Sequence, residues 1–253
     1  MNAIEVQQLH VSYQDKPVLW NIHFQVPAGV NYAIIGPNGA GKTTLLKALL
    51  GEVKPALGAV RFFGHPLDEV RSRVSYVPQR QLVDWDFPVN VLDVVLMGRY
   101  ASRGLLARIH RSDRERAMEA LASLGMVDLA SRQISKLSGG QQQRVFIARA
   151  LAADADLYIM DEPFAGVDLQ TEKIIVEILH RLKKEGKTTL TVHHDLTTVN
   201  EYFDGVIMIN GRLVACGPVA ETFRHDNLSE TFGGKLPILE SVIQQSHKNP
   251  VQK

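Results

Sequence analysis

The nine residues Gly36-Pro37-Asn38-Gly39-Ala40-Gly41-Lys42-Thr43-Thr44 constrain this chain more than any other feature. They spell G-x-x-x-x-G-K-T. An apolar run at 30–35, read as a buried strand, lies directly before them. A helix over 44–50, ended by Gly51 and Pro55, follows directly. Strand, glycine-rich turn and helix in that order make a phosphate-binding loop. The glycines let successive backbone N–H groups converge on phosphate oxygens without a Cβ in the way. The helix N-terminus adds unsatisfied donors and a partial positive charge. Lys42 can reach the β- and γ-phosphates as a flexible point charge, and the Thr43 hydroxyl can ligate Mg²⁺.

The rest of the chain alternates short apolar runs with helical stretches. Strands are expected at 59–63, 73–77, 157–160, 188–192 and 206–209, and helices at 113–124, 141–153 and 170–184. That alternation predicts an α/β fold, a P-loop NTPase core sheet with helices packed on it. Segments 4–13 and 18–26 alternate as an antiparallel pair joined by Gln14-Asp15-Lys16, so an antiparallel β subdomain is expected at the N-terminus. Asn210-Gly211 marks a hairpin between 206–209 and 212–216. Residues 89–137 carry little strand signal and read as an inserted α-helical subdomain. The tail from Gln244 onward is polar and expected to fray.

A second chemical feature follows the apolar run Leu157-Tyr158-Ile159-Met160, which ends in Asp161-Glu162-Pro163. A buried strand would deliver Asp161 to the C-terminal edge of the sheet, where ligands bind in open α/β folds. Asp161 could hold Mg²⁺ directly or through water, and Glu162 is then placed to orient and polarise an attacking water.

Composition excludes several partners. Lys+Arg is 28 against 27 Asp+Glu, so no global basic field draws the chain to nucleic acid. The lone Cys216 cannot form an internal disulfide, and no Cys/His cluster has zinc spacing, so a reducing compartment is expected. The start, Met1-Asn2-Ala3-Ile4-Glu5-Val6-Gln7-Gln8, lacks a basic region followed by an apolar core, so no signal peptide is read. The most apolar stretches, 91–97, 45–50 and 206–209, fall far short of the roughly 18 residues of a membrane span. The chain is expected to be soluble by itself and held at any membrane by something else.

The sequence Leu137-Ser138-Gly139-Gly140-Gln141-Gln142-Gln143-Arg144 opens a helix with a serine and two glycines, a second site suited to an anion. One nucleotide does not need two such sites in one chain, so this one is expected to face the γ-phosphate bound by another copy. At this point the sequence resembles the ATP-binding-cassette (ABC) ATPases, from Ile4 to about Gly234, with 235–253 left as a C-terminal tail.

The resemblance implies an ATPase that uses ATP with Mg²⁺. It implies that Gly36, Pro37, Asn38, Gly39, Ala40, Gly41, Lys42, Thr43 and Thr44 of one copy, and Ser138, Gly139, Gly140 and Gln141 of another, hold the nucleotide. Tyr13 resembles the aromatic that stacks on adenine. Gln79, in Val77-Pro78-Gln79, resembles the glutamine that contacts Mg²⁺ or the water and senses a transmembrane partner. Thr43, Gln79 and Asp161 are the implied Mg²⁺ ligands. Asp168 resembles the aspartate that communicates across the dimer, and Glu162 and His194 resemble the catalytic glutamate and the histidine that contacts the γ-phosphate. Neighbouring strand residues point to opposite faces, so only one of His193 and His194 should face the nucleotide. The family pattern selects His194, and His193 reads either as a packed histidine, the favoured reading, or as a residue that supports the site from behind.

The segment Arg80-Gln81-Leu82-Val83-Asp84-Trp85-Asp86-Phe87-Pro88-Val89-Asn90-Val91 is the implied docking surface for membrane permease subunits, with Trp85 and Phe87 both expected to be exposed. Val83-Asp84-Trp85-Asp86-Phe87-Pro88, Val94-Val95-Leu96-Met97-Gly98-Arg99-Tyr100, Phe164-Ala165-Gly166-Val167-Asp168, His193-His194-Asp195-Leu196 and Tyr202-Phe203-Asp204 are similar to the manganese/zinc/iron branch of the importers, with manganese foremost. The implied protein is then a peripheral subunit on the cytoplasmic face of the membrane, linked indirectly to a metal-binding substrate-binding protein. The rivals are a soluble cassette ATPase acting on ribosomes or DNA, and another P-loop enzyme such as a small-molecule kinase. The single cassette and near-neutral charge weigh against the first. The Leu137–Gln141 motif and His194 weigh against the second.

Overall fold

The computed structural model describes residues 1–14, 16–85, 87–103 and 108–233. The expected fraying tail and the segment 235–253 lie outside the described residues. Two compact units emerge, one built from Met1–Glu69 with the chain from Leu190 onward, the other from Val70–Thr189.

In chain order, the first unit opens with β1 (Asn2–Tyr13), β2 (Lys16–Pro27), β3 (Asn31–Ile35), α1 (Lys42–Leu49) and β4 (Leu57–Phe62), and the one-turn α2 (Leu67–Val70) stands at the boundary. The second unit holds β5 (Val74–Val77), α3 (Val91–Arg103), α4 (Arg111–Ala122), α5 (Gly139–Ala152), β6 (Leu157–Asp161) and α6 (Leu169–Lys184). Through β7 (Thr188–Val192) the chain passes back to the first unit, which closes with α7 (Val199–Tyr202), β8 (Gly205–Ile209), β9 (Leu213–Pro218), α8 (Val219–Thr222) and α9 (His225–Phe232).

The first unit has an antiparallel sheet in the order β2-β1-β4. Ile4 pairs with Val26 on one side and Phe62 on the other, and Val6 with Phe24 and Val60. Alternation along β1 buries Ile4 and Val6, then breaks: Gln7 and Gln8 are both exposed before Leu9 and Val11 are buried. The register shifts there, and Gln8 takes a left-handed φ of 48°. This is a bulge, and it lets a strand of 12 residues keep its apolar side chains on one face. Gly58 on β4 fits under it, since a Cβ would lie 2.4 Å from the Gln8 carbonyl oxygen.

The same unit pairs β3 with β8 in parallel, Ala33 opposite Val206 and Ile35 opposite Met208, and β8 with β9 antiparallel. All five residues of both β3 and β8 are buried, the mark of strands covered on both faces. In the second unit β5 and β6 run parallel, with Val77 opposite Met160. Within its own unit, β3 delivers Gly36 just past its C-terminal end and β6 ends on Asp161.

The described residues of segment 89–137 form α3, α4 and short helical turns. Among its described residues the only β pairing is a bridge between Asn90 and Gln133. Its helices are joined through a buried cation: Arg99 Nε donates to Asp113 Oδ1 (3.0 Å) and Nη1 to the Ala152 carbonyl (2.7 Å). Gly98 lets α3 cross α5 closely, because a Cβ would lie 2.1 Å from the Arg149 carbonyl oxygen.

Candidate nucleotide-binding site

The loop after β3 favours glycine at three points. A Cβ on Gly36 would lie 2.2 Å from the carbonyl oxygen of Ile209. Gly39 and Gly41 have φ values of 81° and 94°, left-handed backbone that other residues resist. A Cβ on Gly41 would also meet Leu19 Cδ2 at 2.6 Å. The Ala40 N–H closes a turn on Pro37 (3.1 Å), and the Ala40 carbonyl accepts from the Gly211 N–H (3.0 Å), which anchors the loop to the β8–β9 hairpin.

Gly41 caps α1, and no side chain among the described residues does so, so the first-turn N–H groups face outward from bare backbone. Lys42 is buried, its Nζ donating to the Gly36 and Pro37 carbonyls at 2.8 and 2.9 Å. The ammonium thus lies across the mouth of the loop. Pro37, Thr43 and Thr44 are half-buried, and Asn38 and Gly39 are exposed. A phosphate fits this cradle: converging backbone donors, a cation and a hydroxyl, with no Cβ inside.

In the second unit β6 is buried throughout and Asp161 at its end is fully buried. Glu162 then turns the chain with a φ of 51°, a left-handed conformation held by its surroundings. Val77 sits opposite Met160, so Gln79 and Glu162, each two residues farther on, come face to face. Gln79 Nε2 donates to Glu162 Oε2 at 3.0 Å. This bond orients the half-buried carboxylate, with Oε2 as the acceptor.

The start of α5 is closed on itself. Ser138 Oγ accepts from the Gln141 N–H (3.3 Å), and Gln141 Oε1 accepts from the Ser138 N–H (3.0 Å). The S-x-x-Q spacing is a capping-box signature, legible in the sequence. Asp168 caps α6 by accepting from the Thr171 N–H (2.7 Å), and that bond holds its carboxyl below the usual range. Gly140 lies against this cap: a Cβ there would meet Thr171 Oγ1 at 2.9 Å and Asp168 Oδ2 at 3.3 Å. The second unit therefore brings Gln79 to Glu162 and Asp168 to Gly140.

In the first unit Tyr13 ends β1 with an exposed ring, 43% accessible. After β7, which is buried at every residue, the chain leaves the strand, and His193 is buried while His194 is exposed. His193 Nε2 shares a hydrogen bond with Thr198 Oγ1 (2.8 Å), and its ring packs on Tyr202 and Phe203. Burial pushes it down to about 4.

One expectation needs correction. Of Trp85 and Phe87, Phe87 alone is exposed, at 58%. Trp85 is tucked in, its Nε1 donating to the Arg80 carbonyl (2.9 Å) and its ring packed edge-on against Phe146. Sequence reasoning also passed over Arg80, which Gly139 and Gln142 receive. A long-range side-chain contact of this kind leaves no local sequence signal.

The model of the ABC transporter family matches residues 19–165. This chain belongs to the ABC transporter ATP-binding family. It is similar to the zinc transport system ATP-binding protein TroB of Treponema pallidum, 55% identical over 234 residues, which cover 92% of this chain and 88% of the relative. It is also similar to the manganese transport system ATP-binding protein MntB of Bacillus subtilis, 52% identical over 249 residues, 98% and 100% of the two chains. Its fold matches a nucleotide-free ATP-binding cassette from an ABC transporter with a TM-score of 0.77 at 25% identity, covering 96% of this chain and 99% of that one. As an ABC ATP-binding protein it binds ATP and is an ATPase coupled to transport. Among the described residues no helix is long and apolar enough to cross a membrane.

Proposed function

We propose that this chain is the ATP-hydrolysing subunit of an importer for a divalent metal ion, manganese foremost and zinc or iron after it. One observation carries the reading: more than half identity, over nearly the full length, to ATP-binding proteins of a zinc and a manganese transport system. The partners are membrane permease subunits, which hold the chain at the cytoplasmic face, and indirectly a metal-binding substrate-binding protein. The exposed Phe87 in the segment after Gln79 supports docking there. Residues 1–234 form the cassette, 89–137 its helical subdomain and 235–253 a tail.

Two copies bind two ATP molecules head to tail, each between 36–44 of one chain and Ser138, Gly139, Gly140 and Gln141 of the other. ATP stabilises the closed dimer by differential binding, which moves the attached permease. Within each copy the loop N–H groups take the phosphates, and Lys42 exchanges its carbonyl partners for them. Tyr13 stacks on adenine. Glu162, held by Gln79, orients the attacking water and accepts its proton at the carboxylate, while His194 contacts the γ-phosphate and Asp168 the neighbouring copy. Mg²⁺ bound with ATP would neutralise phosphate charge, and Thr43, Asp161 and Gln79 supply the hard oxygen donors that suit it.

Glu162→Gln tests the assignment. Turnover should fall about 10²- to 10⁴-fold, while ATP still assembles a dimer visible by size-exclusion chromatography with light scattering. Hydrolysis at the normal rate would remove Glu162 from this role.

A further inference from the structure

The start of α5 is gripped by a residue that neither the phosphate loop nor the acids explain. Arg80 Nε donates to Gln142 Oε1 at 3.1 Å. Its guanidinium lies flat over Gly139, where a Cβ would sit 2.8 Å from Cζ and 2.9 and 3.0 Å from the two terminal nitrogens. Glycine at 139 therefore makes room for Arg80 as well as for an anion.

The contacts continue along the helix. The Trp85 indole returns to the Arg80 carbonyl and packs on Phe146, with ring centroids 5.0 Å apart. The Arg149 guanidinium stands 4.6 Å from the centre of the Phe146 ring and reaches back to the Tyr76 carbonyl at 3.3 Å. Gly139, Gln142, Phe146 and Arg149 recur at spacings of three and four residues, one face of a helix. The chain from Tyr76 through Gln79 to Trp85 is thus clipped to a single stripe of α5. Gln79 leads from one end of this clip to Glu162, and Arg80 leads from the same place to the Ser138–Gln141 turn.

We propose that Arg80 is a positioning residue for ATP hydrolysis, orienting the Ser138–Gln141 turn and tying it to the segment that carries Gln79. The inference rests on the reading above, that this turn meets the γ-phosphate held by a second copy. A displacement of 80–85 is then passed to the turn through one guanidinium, while the chain's own phosphate loop is untouched.

The test measures kcat, KM, affinity for trinitrophenyl-ATP and thermal midpoint on the full chain. Arg80→Ala should lower kcat about ten- to a hundredfold, the scale of loss from a misplaced group, with nucleotide affinity and thermal midpoint unchanged. Arg80→Lys should not restore it, because an ammonium lacks the planar fork that spans Gly139 and Gln142. Gln142→Ala should lower kcat in the same direction, and the double variant no further than Arg80→Ala. An unchanged kcat, or a loss matched by equal losses of affinity or thermal midpoint, overturns the proposal. Ser138→Arg separates the two readings. If it is inactive while Arg80→Ala turns over normally, only the role of Arg80 falls. If Ser138→Arg turns over normally, the two-copy reading falls, and this inference with it.

Discussion

The two helix starts suited to anions, α1 in the first unit and α5 in the second, are built in opposite ways. Gly41 caps α1 with left-handed backbone and no side chain, and the nearest cation, Lys42, rests on loop carbonyls. The start of α5 is satisfied by its own Ser138 and Gln141, lies against the Asp168 cap and is covered by Arg80. The first is capped by backbone alone, an arrangement suited to phosphate. The second already bonds to itself through Ser138 and Gln141, so an incoming phosphate has to compete with those bonds. This division suits a device in which one copy holds the fuel and its neighbour decides when it is consumed.

Substitutions can break or sharpen the contrast. Lys42→Ala should have the largest effect, lowering turnover about 10²- to 10³-fold together with nucleotide affinity, as read by steady-state kinetics and trinitrophenyl-ATP titration. An equal loss of affinity in Ser138→Ala would erase the difference between the two starts. Acid stability probes the loop that carries His194. The folded chain holds His193 near 4, below its ordinary 6.5, so between these values the unfolded chain takes up a proton that the folded one refuses. Stability is therefore full above pH 6.5 and declines as pH falls toward 4. The loss is on the order of 3 kcal/mol. His193→Gln keeps a partner for Thr198, and urea titrations across that range should show its slope with pH flattened.

Smaller effects test the cradle itself. Gly36→Ala drives a Cβ into the Ile209 carbonyl and should cost about 1–3 kcal/mol in denaturant unfolding. Gly39→Ala meets nothing within 4 Å and should cost only its left-handed backbone, about 1–2 kcal/mol. Ser138→Ala removes a helix cap and should cost about 1 kcal/mol, the smallest stability change of the set.

The phosphate loop was readable in the sequence because all its parts are consecutive: strand, glycines, lysine and helix each leave a local mark. The acids after β6 were readable for the same reason, and the parallel alignment of β5 with β6 then explains why Gln79 meets Glu162. Non-local partners were not readable. The pairing of β4 with β1, Ile4 opposite Phe62 and Gln7 opposite Ala59, joins segments more than fifty residues apart and leaves no local mark. Trp85 and Phe87 stand two positions apart in one segment, yet the former packs on Phe146 and the latter is exposed. The glycine at 139 looked like an anion device in the sequence, and the Arg80 guanidinium over it gives a second reason that only folding supplies.

The central claim is that each nucleotide is completed by a neighbouring molecule, and serial dilution of the isolated chain tests it most directly. ATPase rate per mole of chain, followed from concentrations that support the dimer to those that do not, should fall steeply while nucleotide affinity stays constant. A rate per chain that holds level throughout, in a preparation shown to be monomeric with ATP bound, would contradict the account.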